Sequence, residues 1–380
     1  MDYELNDIQA AIRDETRKFA QNRLKPLVEK MDEENSYDLS LIPDLAELGF
    51  FGVMVPEEWG GAGLDTLSYA LVIEELSKVC PSTAVMLSVH NSLLNETLYK
   101  LADEDQRKKW LPRAVTGEIV GAFAITEPEA GSDAGGTRTR AVRDGDHYVL
   151  NGTKIFITNA DFADLFIVFT STNPEAKTRG ITAFFVEKGT EGFSLGKKEN
   201  KMGLRASSTR ELVFTDARVP AANRIGPEGE GFKLAMKLLD GGRIGIASQA
   251  LGIAEAAFAE ALAYSKARRQ FGKAISEFQA IQWMLADMAV DIEAARNLVY
   301  KAASLKDAGK PHSRDASMAK LFTTEMSNRV VNKALQVFGG YGYIKDFPIE
   351  RIYRDQRVTQ LYEGTSEIQR MVISRSLLQP

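Results

Sequence analysis

The chain has 380 residues, of which 44% are hydrophobic and 26% charged, and its formal net charge is −5. That length exceeds what one core usually serves, so two or three domains are expected, and the acidic balance argues against a nucleic-acid partner while allowing a local basic pocket for a phosphate. Cys80 is the only cysteine, which excludes an intrachain disulfide and any cysteine metal cluster and suits a reducing compartment.

In chain order, the opening stretch MDYELNDIQAAIRDETRKF has no basic-then-apolar signal pattern. No uninterrupted apolar run reaches the length of a bilayer span. A soluble cytoplasmic protein without membrane insertion is expected, and a mature mitochondrial matrix form fits the same features. Leu5, Ile8, Ile12 and Phe19 fall near one helical face, and Asn6 with Gln9 has the pattern of a capping box. The stretch MVPEEWGGAGLD (54–65) must be a loop, and helices resume from Thr66 to about Thr116. The character changes near Gly121. HYVLNGTKIFITNA reads as two short strands around an Asn151-Gly152 hairpin, and LFIVFTST, GITAFFVEKGT and RELVFTDARVP follow as β-rich runs.

GPEGEG (226–231) then leads into a helical remainder. Ala247, Leu251, Ala254, Phe258 and Leu262 form one apolar stripe. Ile281, Leu285, Met288, Ile292, Ala295 and Val299 form a second, and Ala319, Phe322, Met326, Val330, Ala334 and Val337 a third. Such stripes predict long helices packed as a bundle, with the stripes as core or subunit contact. The predicted organisation is an α-helical domain over 1–120, a β-domain over 121–230 and a helical bundle over 231–380.

Several chemistries drop out. His90, His147 and His312 are the only histidines and make no metal-ligand spacing with one another or with Cys80, so no metal site is expected. No G-x-S-x-G elbow and no Walker A loop is present. GPEGEG has the order G-x-x-G-x-G, contains Pro227 and lacks a surrounding βαβ unit, so a helix-entry turn is the better reading than a dinucleotide loop. A carboxylate base working with a bound organic cofactor survives this elimination without being proved by it.

Five stretches stand out in order: GAFAITEPEAGSD (121–133), NGTKIFITN (151–159), ARRQFGK (267–273), QVFGGYGY (336–343) and YEGTSE (362–367). With them the chain resembles the acyl-CoA dehydrogenase family over essentially its whole length, most of all its short-chain, butyryl-CoA branch. The resemblance implies a mostly α protein with a central β-domain: an α-helical N-terminal domain, a barrel-like middle domain and a C-terminal four-helix bundle. It implies an FAD enzyme that removes a Cα proton and a Cβ hydride from an acyl-CoA, leaving a trans-2-enoyl-CoA. Electrons would pass to an electron-transferring flavoprotein, and the assembly would be a homotetramer, a dimer of dimers.

By the same resemblance Glu363 is the catalytic base. Thr158 would bond the flavin near N5, with Phe156 where many relatives stack a Trp. Phe123, Ile125 and Thr126 would lie along the flavin, and Ser132 would reach both FAD and the CoA arm. Arg268, Gln270 and Phe271 would reach the FAD of a neighbouring subunit, joined by Gln279, Gln336, Gly339 and Gly340. Thr365 and Glu367, the latter often Gln in relatives, would touch the adenine end. Asp240, Arg243 and Gly364 would lie on the substrate side. Local readings compete with these: a core strand for KIFIT, turn residues for Thr126 and Ser132, a solvated helix end for KARRQ, and a solvated turn for Asp240 and Arg243.

The physical demand on Glu363 is severe. A thioester Cα–H is a weak acid, so the base must be buried against flavin and acyl chain to raise its pKa toward working pH. The developing enolate also needs hydrogen-bond donors at the thioester oxygen. Read locally, Glu363 merely precedes a helix capped at Thr365 and Ser366. Some family members carry the base just before the Arg of an LD-x-x-R segment. Here that position is Gly242, which cannot be a base.

For the acyl group, straight chains of short length are expected first, with branched, cyclic or aryl-substituted groups as alternatives. The polar pair His90-Asn91 in SVHNSLL (88–94) falls where the pocket floor is expected, or could be exposed. An acyl-CoA oxidase using oxygen is the other enzyme class considered, disfavoured by a length without an additional C-terminal domain. A non-catalytic acyl-CoA or flavin binding module would need the base to be lost.

Overall fold

The structure, a computed structural model, describes residues 4–378. Helices come first: α1 Asp7–Phe19, α2 Val28–Glu34, α3 Leu41–Glu47, α4 Thr66–Ser77, α5 Pro81–Val89, α6 Glu96–Lys100 and α7 Glu104–Val115. The Asn6–Gln9 capping box forms as expected, with Gln9 N–H donating to Asn6 Oδ1 at 2.9 Å. Ile8 departs from the expected apolar face and is exposed. Gln9 and Thr16 take the inward positions, because Gln9 is held by its cap and by a 2.7 Å bond to Asp65.

The strands are β1 Gly121–Ala124, β2 Arg140–Asp144, β3 His147–Thr158, β4 Leu165–Ser171, β5 Ile181–Glu187, β6 Phe193–Lys198, β7 Thr209–Pro220 and β8 Arg224–Ile225. They form one sheet in the order β6-β7-β3-β2-β4-β5-β8, with β1 parallel beside β4. β4 is buried on both faces, and its period of two divides it between two cores. Leu165, Ile167 and Phe169 pack with Trp110 and Leu111 of α7, while Phe166 and Val168 pack within the sheet's other face.

The Asn151-Gly152 hairpin is not there. β3 runs straight through that dipeptide, and the turn lies earlier, at Gly145 between β2 and β3. Gly152 instead permits a close approach: a Cβ there would sit 2.6 Å from the Thr139 hydroxyl, at a register shift against β7.

The remainder is α8 Gly231–Ala267, β9 Arg269–Gln270, β10 Lys273–Ala274, α9 Gln279–Asp307, α10 Ser313–Phe338, α11 Ile349–Gln356 and α12 Ser366–Leu378. The three predicted stripes meet in one core as α8, α9 and α10 pack together, and α12 lies against α10. By length and composition α8 could cross a membrane, with a mean hydropathy of 1.2 over its best window, but 61% of that window is buried inside the fold. It also leans on α4 and α5, so one helix joins the helical halves.

Candidate active site

Glu363 sits on the short connection between the turn Arg357–Gln360 and α12. Its backbone is left-handed, with φ of 50°, and Gly364 follows at 93°. A non-glycine residue in that region carries strain of about 1–3 kcal/mol, so neighbours must hold it. They do. Gln369, fully buried one turn into α12, donates Nε2 to the Glu363 carbonyl at 3.3 Å and to the Gly364 carbonyl at 2.9 Å. Lys320 of α10, also fully buried, donates Nζ to the Gly364 carbonyl at 2.8 Å. Thr365 Oγ1 accepts from the Ile368 N–H at 3.4 Å and caps α12, as the local sequence suggested.

The carboxylate points at α8. A Cβ on Gly242 would lie 2.0 Å from Glu363 Oε2, so only glycine leaves room for the acid there. The residue as a whole is partly exposed, yet Oε2 is shut from solvent and has no hydrogen-bond partner. Burial pushes the carboxyl up to about 7, against the opposing pull of Lys320 and Arg243. A buried, unpartnered carboxylate oxygen beside two cations is the pattern of a functional acid.

Asp240 and Arg243 lie inside α8, not in a solvated turn. Gly241 and Gly242 stand in the helix where neighbours, Glu96 and Lys306 at the first and Glu363 at the second, fill the space a side chain would need. Arg243 is buried and pairs with Asp240 at 2.5 Å, while Ser313 donates to Asp240 at 2.9 Å. An apolar cluster adjoins the base: Val85, Val89, Leu93, Leu204, Leu238 and Ile246, with Tyr362, Val358 and Phe123 against it. It thus gathers all three predicted domains beside Glu363.

His90 and Asn91 are not exposed, and their polar groups are taken up by backbone. Both are buried in a widened helical turn, His90–Asn95. His90 Nδ1 accepts the Gly121 N–H at 3.2 Å, so the proton sits on Nε2, which bonds the Ala114 carbonyl at 3.0 Å. Asn91 donates to the Phe50 carbonyl at 2.8 Å and accepts from Val53 N–H at 3.1 Å. The pair ties α5 to β1 and to the 50–53 turn, which is structural work.

On the sheet, Phe123 is half-buried against Phe169, and Ile125, Thr126 and Thr158 are half-buried too, with the Ile155 N–H bonding the Thr126 carbonyl at 2.9 Å. Phe156 is 60% exposed with φ of 60°. It occupies a bulge, since β3 slips register against β7 between Lys154 and Ile157. KIFIT is therefore not a plain core strand, because the bulge turns one aromatic face outward. Beneath it, fully buried Lys154 pairs with Glu127 at 2.7 Å and bonds the Ile125 carbonyl at 3.1 Å. Glu127 also accepts the Arg138 and Thr139 N–H groups. Asn159 donates to the Gly121 and Met86 carbonyls, binding the end of β3 to β1 and α5. Ser132 lies exposed in the 131–133 loop.

A second group assembles elsewhere. Arg268, Gln270, Gly339 and Gly340 line one cavity of about 460 Å³ with Tyr264, Phe338 and Tyr341, and neither Glu363 nor Phe156 lines it. Phe271, 93% exposed, tips the β9–β10 hairpin, where Phe271 and Gly272 both have positive φ. KARRQ is thus a helix end that turns into a hairpin. Gln279 opens α9 and Gln336 lies in the last turn of α10, both exposed. Glu367 is exposed on the first turn of α12.

Sequence reasoning missed Lys154, Lys320 and Gln369. Each is a polar residue at an apolar spacing: Lys154 inside a β run, Lys320 on the inward face of α10 with Ala316 and Thr323.

Family models match in register with this architecture. "Acyl-CoA dehydrogenase, N-terminal domain" matches residues 6–118, the middle domain 122–217 and the C-terminal domain 229–378. The chain is 52% identical over 374 residues to a short-chain specific acyl-CoA dehydrogenase of Clostridium acetobutylicum, covering 98% of this chain and 99% of that one. It superposes on butyryl-CoA dehydrogenase from Megasphaera elsdenii with a TM-score of 0.98 at 49% identity, covering all of both chains. It matches a chain from the structure reported as the electron transferring flavoprotein of Acidaminococcus fermentans with a TM-score of 0.99 at 52% identity, again over all of both chains. With three matched domains and these full-length likenesses, the chain belongs to the acyl-CoA dehydrogenase family.

Proposed function

We propose that this chain is an FAD-dependent dehydrogenase of short acyl-CoA thioesters, with Glu363 as the base that takes the Cα proton. The carrying observation is the Glu363 carboxylate itself: Oε2 sealed and unpartnered, held against Gly242, and raised by burial to about 7. A base of that pKa is half ionised near neutral pH and strong enough to share a proton with an activated Cα–H.

The residues present fit FAD. A Cβ on Gly339 or Gly340 would meet nothing, so their backbone stands open beside Arg268. Phe156 offers an uncovered aromatic face at the β3 bulge, and Phe123, Ile125, Thr126 and Thr158 are half-buried. When bound, FAD supplies the hydride acceptor. The chain's own residues do the rest. Thr158 would hold the flavin ring, and Arg268 with Gln270, Phe271, Gln279 and Gln336 would hold the FAD of a neighbouring protomer. Thr365 and Glu367, at the α12 N-terminus, would hold its adenine end. Ser132 and Asp240 face the CoA arm. The Glu363 N–H, on a residue with left-handed backbone, would donate to the thioester oxygen. The apolar cluster of Val85, Val89, Leu93, Leu238 and Ile246 excludes water from the acyl group.

The relatives' short-chain and butyryl-CoA names support a short acyl substrate, and the likeness to a chain in the electron transferring flavoprotein structure supports such a protein as acceptor. Exposed Phe271, Trp283 and Tyr343 in the C-terminal domain support burial in a homotetramer. We assign the domains to 1–120, 121–230 and 231–380, and the site of action to the cytoplasm.

An anaerobic panel of straight, branched and aryl-substituted acyl-CoAs tests the reading through bleaching of the bound flavin. Butyryl-CoA should bleach fastest. A faster branched or aryl substrate would reassign the acyl class, and rapid peroxide formation in air would make the enzyme an oxidase.

A further inference from the structure

Lys320 is a buried lysine without a carboxylate partner of its own among the described residues. It is 0% exposed. Its one side-chain hydrogen bond goes to the Gly364 carbonyl, and among the described residues it makes no ion pair. Removing an ammonium from water costs several kcal/mol unless other charges and dipoles replace the hydration. One neutral carbonyl does not balance that cost.

The nearest compensation is Glu363. It is the largest charge acting to keep Lys320 protonated against burial, ahead of Glu325 and Glu367, and Arg243 acts the other way. In return Lys320 is the larger of the two cations that oppose burial at Glu363. Arg243, the other, already has Asp240 at 2.5 Å and Ser317 at 3.3 Å. Its charge is answered locally, whereas that of Lys320 is not. Burial holds Lys320 down to about 8, so it remains mostly charged at neutral pH. The other titratable groups facing Glu363 are Tyr69 of α4 and Tyr362 on its own loop, both pushed above the usual tyrosine range by burial and by Glu363. Neither offers a charge near neutral pH.

Resting on the reading of Glu363 as the base, we infer that Lys320 is its positioning residue: the ammonium clamps the Gly364 carbonyl, keeping the base in its left-handed turn, and supplies the one uncompensated positive charge that lets the buried acid ionise. The clamp and the charge are separable. Gln369 bonds the same carbonyl at 2.9 Å without a charge, so the turn has a second support, while the electrostatic role is shared only with the smaller effect of Arg243, which is already paired with Asp240.

The test compares Lys320→Met, which removes bond and charge, Lys320→Gln, which can keep the bond, and Lys320→Arg, which keeps the charge. The protonated-carboxyl band of Glu363 is followed by infrared difference titration of the holoenzyme, each variant subtracted from its Glu363→Gln counterpart. The midpoint should rise by about one unit or more in Lys320→Met and Lys320→Gln, a tenfold gain in proton affinity, and stay near wild type in Lys320→Arg. The anaerobic reduction rate should fall most at low pH and converge on wild type at high pH. A midpoint unmoved in both neutral variants, or a rate depressed equally at every pH, would overturn the inference and leave Lys320 structural. If Lys320→Met does not fold, Lys320→Gln decides alone. The titration needs no turnover. A Glu363→Gln enzyme that still reduces its flavin would sink the base assignment while leaving the Lys320 effect on Glu363 measurable.

Discussion

Gly242→Ala places one methyl group in the active site. The added Cβ would lie 2.0 Å from Glu363 Oε2 and 3.0 Å from its Cδ, against an ordinary contact of 3.4 Å or more. The carboxylate must therefore retreat by about 1.4 Å or α8 must shift. A misplacement near 1 Å costs a reaction about a hundredfold, so flavin reduction by butyryl-CoA should slow by about that factor. Gly241→Ala is the control. Its Cβ would meet Glu96 Oε2 and Lys306 Nζ at 2.9 Å, the ends of flexible side chains that can yield. The assay is anaerobic stopped-flow reduction, with FAD content and melting temperature measured in parallel. Slow Gly242→Ala beside near-normal Gly241→Ala, both flavin-replete, is the expected pattern. Equal rates in Gly242→Ala and wild type would refute the placement of the carboxylate against α8.

Further outcomes follow from buried charge. Glu363, raised to about 7 from an ordinary carboxylate value, holds its proton more tightly folded than unfolded, so its contribution to stability is full at acid pH and is lost as pH rises through 7. Glu363→Gln should therefore be more stable than wild type by about 1–3 kcal/mol at pH 8, with the gap closing toward pH 4, as read by urea titration. His90 runs the other way: burial lowers it to about 4, so the neutral ring contributes stability that is lost as pH falls from 6.5 toward 4. Its imidazole resonances should stay neutral throughout that range in the folded protein, and an early titration would contradict the assigned tautomer. Lys154→Met strands Glu127 under the 125–127 segment and should cost about 3–5 kcal/mol in denaturant unfolding, with weakened FAD retention.

The helical stripes of the C-terminal domain were legible because one face of each helix is buried at a period of 3.6, and residues such as Leu251, Ile292 and Val330 landed in the core they predict. Asn151-Gly152 misled because its hairpin chemistry is local, while its actual role, a close approach of Gly152 to Thr139, is set by another strand. Ile8 misled because a capping box and an Asp65 bond outweighed its hydrophobicity. At the site, Glu363 and Gly364 stood out by motif. The bulge that exposes Phe156 and the supports Lys154 and Lys320 did not, since they depend on register between strands or on partners 27 and 44 residues away, and neither did the left-handed turn at Glu363, which Gln369 holds from five and six residues on. His90-Asn91 reads as a polar blemish in a helix until the backbone groups it satisfies, at Gly121, Ala114 and Phe50, are brought beside it.

The most direct test of the central claim is anaerobic reduction of FAD-replete wild-type and Glu363→Gln protein by butyryl-CoA, followed as loss of the flavin band. A general base contributes about 10²–10⁴-fold, so Glu363→Gln should keep its flavin and lose reduction by at least that range's lower end. Reduction at the wild-type rate in flavin-replete Glu363→Gln would contradict the account.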